Sequence, residues 1–192
     1  MSQAINKSKQ AYVQKATMLF WEKGFHATSM REIQEHIDMR PGSIYATFGS
    51  KEGLFKEALQ YYADDGLNYL NECIETSGSP LMALKQFIRN IVINSYHTAP
   101  SEMCMLVKTI AELTDSHEAL LLESKRLLKV VEDAFTHLLI QAQQEGELAA
   151  TKDTSRLARF LQTQVIGLRA YAKANGNENI HELVDDALAC LD

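Results

Sequence analysis

The sequence contains few residues that would interrupt a helix. Only three prolines occur in 192 residues, at Pro41, Pro80 and Pro100, and each lies at a plausible helix start. Runs that alternate apolar and polar residues and are rich in Val, Ile and Thr are absent, so no β-sheet is expected. The chain is therefore predicted to be all-α.

The sequence also lacks the residue patterns that mark several kinds of functional site. No apolar run of about 18 residues is present, and the N-terminus does not resemble a signal peptide, so a cytoplasmic protein without a membrane span is expected. Three cysteines form no CxxC pair and six histidines form no pair four residues apart, so no metal site is predicted. No nucleophile elbow, phosphate loop or ordered Ser/His/Asp set is present, so neither an enzyme nor a cofactor is predicted.

The charge is distributed unevenly along the chain. The formal net charge is −6, but residues 1–51 carry seven Lys and Arg against four Asp and Glu. Residues 52–192 carry twelve basic against twenty-one acidic residues. Because binding to phosphates requires local positive charge, a nucleic-acid site is expected in the first quarter of the chain.

Apolar periodicity and capping residues predict about nine helices in two domains. A helix-turn-helix domain over residues 1–51 is expected to precede a helical ligand-binding and dimerisation domain over residues 52–192. The predicted helices cover about 8–24, 29–37, 41–49, 50–75, 80–97, 102–114, 117–145, 153–174 and 179–191.

The segment TSMREIQEHIDMRPGSIYATFGSK, residues 28–51, has the pattern of a helix-turn-helix. Ser29 and Glu32 form a capping-box pair, with Thr28 as a second candidate cap, and Pro41 begins the second helix. In that motif the second helix enters the major groove. The residues left outside its apolar face are small or hydrogen-bonding, and Lys51 adds a cation at the next helix N-terminus. The alternative is that three short helices merely form a small core.

The longer string from Thr28 to Leu59, with FWEKGFHATSM upstream, resembles the signature of the TetR family of repressors. Its hallmarks here are PGSIYATF and the SKEGLF start of the next helix. The resemblance covers about residues 10–60, and weaker similarity extends through residues 103–113, 142–148 and 158–176. It implies double-stranded operator DNA as a partner, with contacts at Thr28, Arg40, Gly42, Ser43, Tyr45, Thr47 and Lys51. We expect Tyr45, Lys51 and Thr28 to hold phosphates and Arg40, Ser43 and Thr47 to read bases.

The resemblance also implies a homodimer held by the last two helices. Both helices carry a broad apolar face, which is compatible with a dimer and equally with burial inside one subunit. The predicted interface residues are Phe160, Gln164, Gly167, Leu168, Leu183, Val184, Ala187 and Leu188.

An inducer pocket between the fourth and eighth helices is a further implication of the resemblance. Its candidate lining residues are Tyr62, Phe87, Ile91, Tyr96, Cys104, Met105, Phe135, Leu138, Gln164 and Tyr171, with an ordinary core as the alternative for most of them. Few charged residues fall on the inward faces of these helices. The inducer is therefore expected to be a small molecule of mostly apolar or aromatic character, whose identity is unknown.

Cys104 allows two interpretations. It is either a small buried apolar residue or a thiol that senses electrophiles or oxidants, with Lys108 one helical turn further on.

The sequence thus supports a ligand-responsive repressor that binds a palindromic operator as a dimer. The alternative is a helical small-molecule or protein-binding module without DNA-binding activity.

Overall fold

The computed structural model describes residues 2–94 and 99–192, with side chains from residue 9 onward in the first helix. Within these ranges nine α-helices and no β-strand are present, which confirms the all-α prediction. The helices are α1 (Ser2–Lys23), α2 (Met30–Ile37), α3 (Pro41–Phe48), α4 (Lys51–Ser77), α5 (Pro80–Val92), α6 (Met105–Glu112), α7 (Glu118–Gln144), α8 (Thr154–Asn175) and α9 (Ile180–Leu188). Single 3₁₀ turns cover Asp115–His117 and Ala189–Leu191.

Several helix starts are set by local capping chemistry. The side chains of Ser29, Ser79 and Asp153 each accept a hydrogen bond from the backbone N–H three residues further on. These bonds satisfy amides that have no partner within the helix. Pro41 and Pro80 occupy the first turns of α3 and α5, where the missing N–H costs nothing.

The segment before α6 differs from the prediction. Pro100 does not begin a helix, and α6 starts at Met105 rather than near residue 102. The buried guanidinium of Arg169 donates to the carbonyl oxygen of Glu102 at 2.6 Å and to that of Ser101 at 3.5 Å. Because these carbonyls already have partners, they do not need a helical turn. The predicted helix at 80–97 ends at Val92, and its last positions, 95–98, lie outside the described residues.

The chain divides into two compact units. The first contains the chain up to Asp64 together with Met105–Leu127, and the second contains Asp65–Cys104 and Leu128–Asp192. This division follows packing, so the functional boundary at residue 51 stays a prediction.

Each unit has its own core. In the first unit the rings of Phe20 and Phe25 pack edge-on against Phe55, with centroids 4.8 and 5.0 Å away. The buried Ile33, Ile37, Ile44 and Phe48 come from α2 and α3, and α2 packs against both α1 and α3. In the second unit α5, α8 and α9 pack together, with α4 and α7 contributing further buried side chains.

Candidate nucleic-acid interface

The start of α2 is held by a capping box and an added cation. The hydroxyl of Ser29 accepts from the Glu32 N–H at 3.2 Å, and the Glu32 carboxylate accepts from the Ser29 N–H at 2.8 Å. Lys23, at the end of α1, donates to the same carboxylate at 2.7 Å. These bonds, that from Lys23 first, lower the pKa of Glu32 to about 2. The carboxylate therefore joins α1 to the first turn of α2.

The turn between α2 and α3 depends on one left-handed residue. Asp38 has φ 55° and ψ 53°, and its N–H donates to the Gln34 carbonyl oxygen. Asp tolerates this conformation better than most residues because its short side chain can bond locally. Arg40 is extended at φ −65° and ψ 147° and leads into Pro41. The two short helices are thus reoriented within three residues, as a helix-turn-helix requires.

Only two side chains of α3 are buried. Ile44 and Phe48 face the core of the first unit, and every other residue from Arg40 to Thr47 is exposed. Tyr45 has 51% of its surface exposed, which is unusual for an aromatic side chain of its size. Gly42, Ser43, Tyr45 and Thr47 therefore lie exposed on α3, with Arg40 exposed at its N-cap, and their contact with DNA stays a prediction.

Lys51 lies at the first turn of α4 on an aromatic support. Its Nζ is 4.3 Å from the centroid of the Phe25 ring, within the range of a cation–π contact. Burial against this surface lowers the pKa of Lys51 from its ordinary value. The Ser50 hydroxyl caps the same helix by accepting from the Gly53 N–H at 3.1 Å. The ammonium is therefore positioned beside a helix N-terminus, an arrangement that favours anions.

Thr28 lies differently from the prediction. Its side chain is fully buried, and its hydroxyl donates to the Gly24 carbonyl oxygen at 2.6 Å. The α2 cap is Ser29 instead. Since the hydroxyl is inaccessible and already bonded, a phosphate contact by this side chain is not supported and Thr28 leaves the contact set.

Arg31 is an exposed cation that the sequence reasoning missed. Its side chain is 86% exposed on α2, where it pairs with Glu35 at 2.9 Å. The sequence signal for it is an arginine in the first turn of a capped helix directly before α3, the helix predicted to enter the major groove. The contacts that the resemblance implied did not include it.

The candidate pocket residues fall in both units. Tyr62 and Met105 belong to the first unit, where the Tyr62 ring lies 4.9 Å from Trp21. The second unit contains Phe87, Ile91, Cys104, Phe135, Leu138, Gln164 and Tyr171. Phe87, Phe135 and Leu138 are buried in its core, whereas Tyr171 is 43% exposed. Tyr96 lies outside the described residues, and the pocket stays a prediction.

The predicted interface residues separate into two groups. Leu168, Val184, Ala187 and Leu188 are buried in the core of the second unit, so for their side chains burial within the subunit is the correct alternative. The physical reason is that α8 and α9 turn their apolar faces toward α5 and each other. Phe160 remains 40% exposed, Gly167 is exposed, and Gln164 and Leu183 are partly buried. These four stay predictions.

The described ranges contain neither a metal cluster nor a helix suited to a membrane. No group of three or more His, Cys, Asp or Glu side chains there is arranged to hold a metal ion. None of the helices described combines the length and apolar character needed to cross a membrane.

Comparison with known proteins places the same segments in established families. Residues 13–58 match the family model "Bacterial regulatory proteins, tetR family", and residues 80–188 match "Tetracyclin repressor-like, C-terminal domain". The regulator YezE of Bacillus subtilis (strain 168), described as an uncharacterized HTH-type transcriptional regulator, is 28% identical over 180 residues, 93% of both chains. The HTH-type transcriptional repressor ComR of Escherichia coli (strain K12) is 28% identical over 169 residues, 86% of this chain and 79% of ComR.

A solved structure with operator DNA is also similar. A cysteine mutant of the TetR family transcriptional regulator CifR, complexed with 26-bp double-strand operator DNA, has a TM-score of 0.84 and 28% identity. The match covers 95% of this chain and 96% of that one.

Proposed function

The chain belongs to the TetR family of bacterial regulatory proteins, and from this membership we propose a repressor that binds a palindromic operator as a dimer and is released by a small-molecule inducer. It is a DNA-binding transcriptional regulator rather than an enzyme. The observation that carries the proposal is the α3 surface, where only Ile44 and Phe48 are buried and the hydrogen-bonding side chains are exposed.

The proposed DNA contacts divide into two kinds. Tyr45 and Lys51 bind phosphates, and Arg31 joins them because the first helix of the motif crosses the DNA backbone. Arg40, Ser43 and Thr47 read base edges in the major groove, where arginine pairs best with guanine and the Thr47 methyl group fits thymine. Gly42 permits close approach of the α3 backbone to a phosphate, since no heavy atom lies within 4 Å of its Cβ position.

The dimer gives the site its second half. The α3 helices of the two subunits, separated by one DNA turn of roughly 34–36 Å, would match a palindrome with two-fold symmetry. The part of α8 that carries the exposed Phe160 and Gly167 and the partly buried Gln164 supports a contact with a second copy of the chain. CifR, the similar protein above, is complexed with a 26-bp operator.

Release by an inducer requires a difference in affinity between two states. The ligand must bind the DNA-incompetent state more tightly than the competent one, and linkage then lowers DNA affinity by the same factor. Because the candidate lining residues of the second unit include Phe87 and Phe135, an inducer bound there would be apolar or aromatic.

Modification of Cys104 is the second candidate trigger. Cys104 is partly buried and directly precedes α6. Lys108 donates to the carbonyl oxygens of Trp21 and Glu22, so its ammonium is engaged in the first unit. Cys104→Ser separates the triggers: if an electrophile such as a quinone releases the wild type and the variant equally, thiol sensing is excluded.

A binding assay with matched controls tests the proposed contacts. Fluorescence anisotropy with labelled DNA from the region upstream of the gene should show specific binding by the wild type. Tyr45→Ala and Lys51→Ala should each weaken it about tenfold, the equivalent of one charge-assisted bond. Leu122→Ala and Lys125→Ala, which change exposed α7 residues of the same unit, should bind as the wild type does.

Two results would contradict the proposal. Equal affinity of the Tyr45 variant and the Leu122 control would remove α3 from the interface. A reporter under the same upstream region tests repression directly, since its expression should rise when the gene is deleted. A fall in expression would make the protein an activator.

A further inference from the structure

Two charged residues of α6 bond to the backbone at the end of α1. Lys108 donates to the carbonyl oxygens of Trp21 at 2.9 Å and Glu22 at 2.7 Å. Glu112, one helical turn further on, accepts from the N–H of Phe25 at 3.0 Å and of His26 at 2.6 Å. The pair therefore satisfies carbonyl and amide groups that the end of a helix leaves without partners.

The turn between α1 and α2 is shaped around the Glu112 carboxylate. Gly24 has φ +89°, and a Cβ at this position would lie 2.5 Å from the carboxylate oxygen Oε2. Successive amides after a left-handed residue form a concave site that binds anions, and here a side chain of the protein fills it. Both the conformation and the space at Gly24 thus require glycine while Glu112 is in place.

The same turn leads directly into the DNA-binding helices. The Gly24 carbonyl oxygen accepts from the Thr28 hydroxyl at 2.6 Å, and the next residue, Ser29, caps α2. Phe25 supports Lys51 and also contacts the ring of His117, with centroids 4.9 Å apart. The start of α2 and the Lys51 ammonium therefore both depend on where this turn lies.

We propose that Glu112 and Lys108 are positioning residues for DNA binding, which fix the turn at Gly24–Thr28 and through it the start of α2 and Lys51. This inference rests on the proposed contact surface of α2, α3 and Lys51. It makes α6 a functional part of the DNA-binding unit although the helix lies beyond residue 51 in sequence. Neither residue touches DNA in this proposal.

The test compares shape-conserving variants with a conservative one. Glu112→Gln keeps the side-chain shape but places an amide N–H₂ against backbone N–H donors, and Lys108→Met keeps the length but removes the ammonium. Each is expected to weaken operator binding about tenfold, the equivalent of one charge-assisted bond. Lys108→Arg retains charge and donors and should restore affinity to within about twofold of the wild type. Glu118→Gln and Lys125→Met, at exposed α7 positions, are the matched controls.

A second readout separates positioning from loss of folding. In Glu112→Gln the amide protons of Phe25 and His26 should exchange faster with solvent, while those of the second unit keep their wild-type rates. Operator affinity should fall more than affinity for non-operator DNA. Misplaced helices keep their positive charge, but their side chains no longer align with the base pairs of the operator.

The outcomes distinguish this inference from the proposed function. Wild-type binding with an unchanged Glu112→Gln variant would overturn the positioning role and leave the α3 contacts standing. Faster exchange throughout both units would also overturn it, since the residue would then serve general stability. A wild type that does not bind operator DNA would overturn the contact surface and the inference together.

Discussion

At the scale of single residues, the Glu32 carboxylate links stability to pH. Its pKa of about 2 in the folded protein lies below the ordinary value of 4.5, chiefly because of the bond from Lys23 and those from Ser29. A depressed folded pKa stabilises the fold above pH 4.5, and that contribution is lost as the pH falls toward 2. We expect the α2 amides to lose exchange protection in this window in the wild type. Glu32→Gln should lack that pH-dependent step while Glu35→Gln retains it. An unchanged profile in the Glu32 variant would contradict the assignment.

Gly53 provides a second prediction at this scale. A Cβ there would lie 2.0 Å from the Phe48 carbonyl oxygen, a distance that only movement of the backbone can relieve. Alanine gains at most about 1 kcal/mol in helix propensity, whereas overpacking costs about 1–3 kcal/mol, so the clash should dominate. Gly53→Ala should therefore lower the free energy of unfolding of the first unit, measured with denaturant.

Gly66 is the matched control in the same helix. No heavy atom lies within 4 Å of its Cβ position, so Gly66→Ala should leave stability equal or raise it by up to about 1 kcal/mol. Equal effects of the two substitutions would show that the α3–α4 turn adjusts freely.

At the scale of helices, the predictable features are those whose causes are local. The starts of α2, α5 and α8 follow from Ser29, Ser79 and Asp153, whose side chains bond to amides three residues away. The exposed face of α3 also follows from its own spacing of apolar residues, Ile44 and Phe48.

The features that sequence reasoning missed depend on distant partners. Glu112 binds the His26 N–H across 86 residues, and no local pattern indicates that bond. The late start of α6 depends likewise on Arg169, which lies 67 residues beyond Glu102. The phosphate contact at Thr28 was taken from the family resemblance, and no local pattern shows that the turn at Gly24 buries this hydroxyl.

Two equivalent caps in different units allow a test of what α2 contributes. The hydroxyls of Ser29 and Ser79 accept from backbone amides at 3.2 and 3.1 Å. Replacement of either by alanine should cost about 1 kcal/mol of unfolding free energy in its own unit. Only Ser29→Ala should also weaken operator binding, because α2 carries Arg31 and supports α3. The comparison needs denaturation and anisotropy on both variants; equal loss of DNA affinity would contradict a local role for the α2 cap.

At the scale of the whole molecule, DNA binding and assembly should be coupled. Phe160 is 40% exposed on α8, and a glutamate there would place a charge in the proposed contact between copies. Phe160→Glu should shift the protein toward monomer in sedimentation experiments and weaken operator binding together. Leu122→Glu, at a residue 57% exposed on α7, should change neither. A monomeric Phe160 variant that binds the operator as tightly as the wild type would separate assembly from recognition.

The uneven charge of the chain leads to a prediction about salt. Net charge is −6, yet residues 1–51 carry an excess of Lys and Arg, so attraction to DNA is confined to the contact surface. If Arg31 and Lys51 each neutralise one phosphate per subunit, a dimer releases about four counterions and log K should fall with log salt at a slope of about −3.6. Lys51→Ala should reduce the slope by about 1.8, since two phosphates lose their partners, whereas Lys125→Ala should leave it unchanged. An unchanged slope in the Lys51 variant would mean that the wild-type ammonium packs on Phe25 without touching DNA.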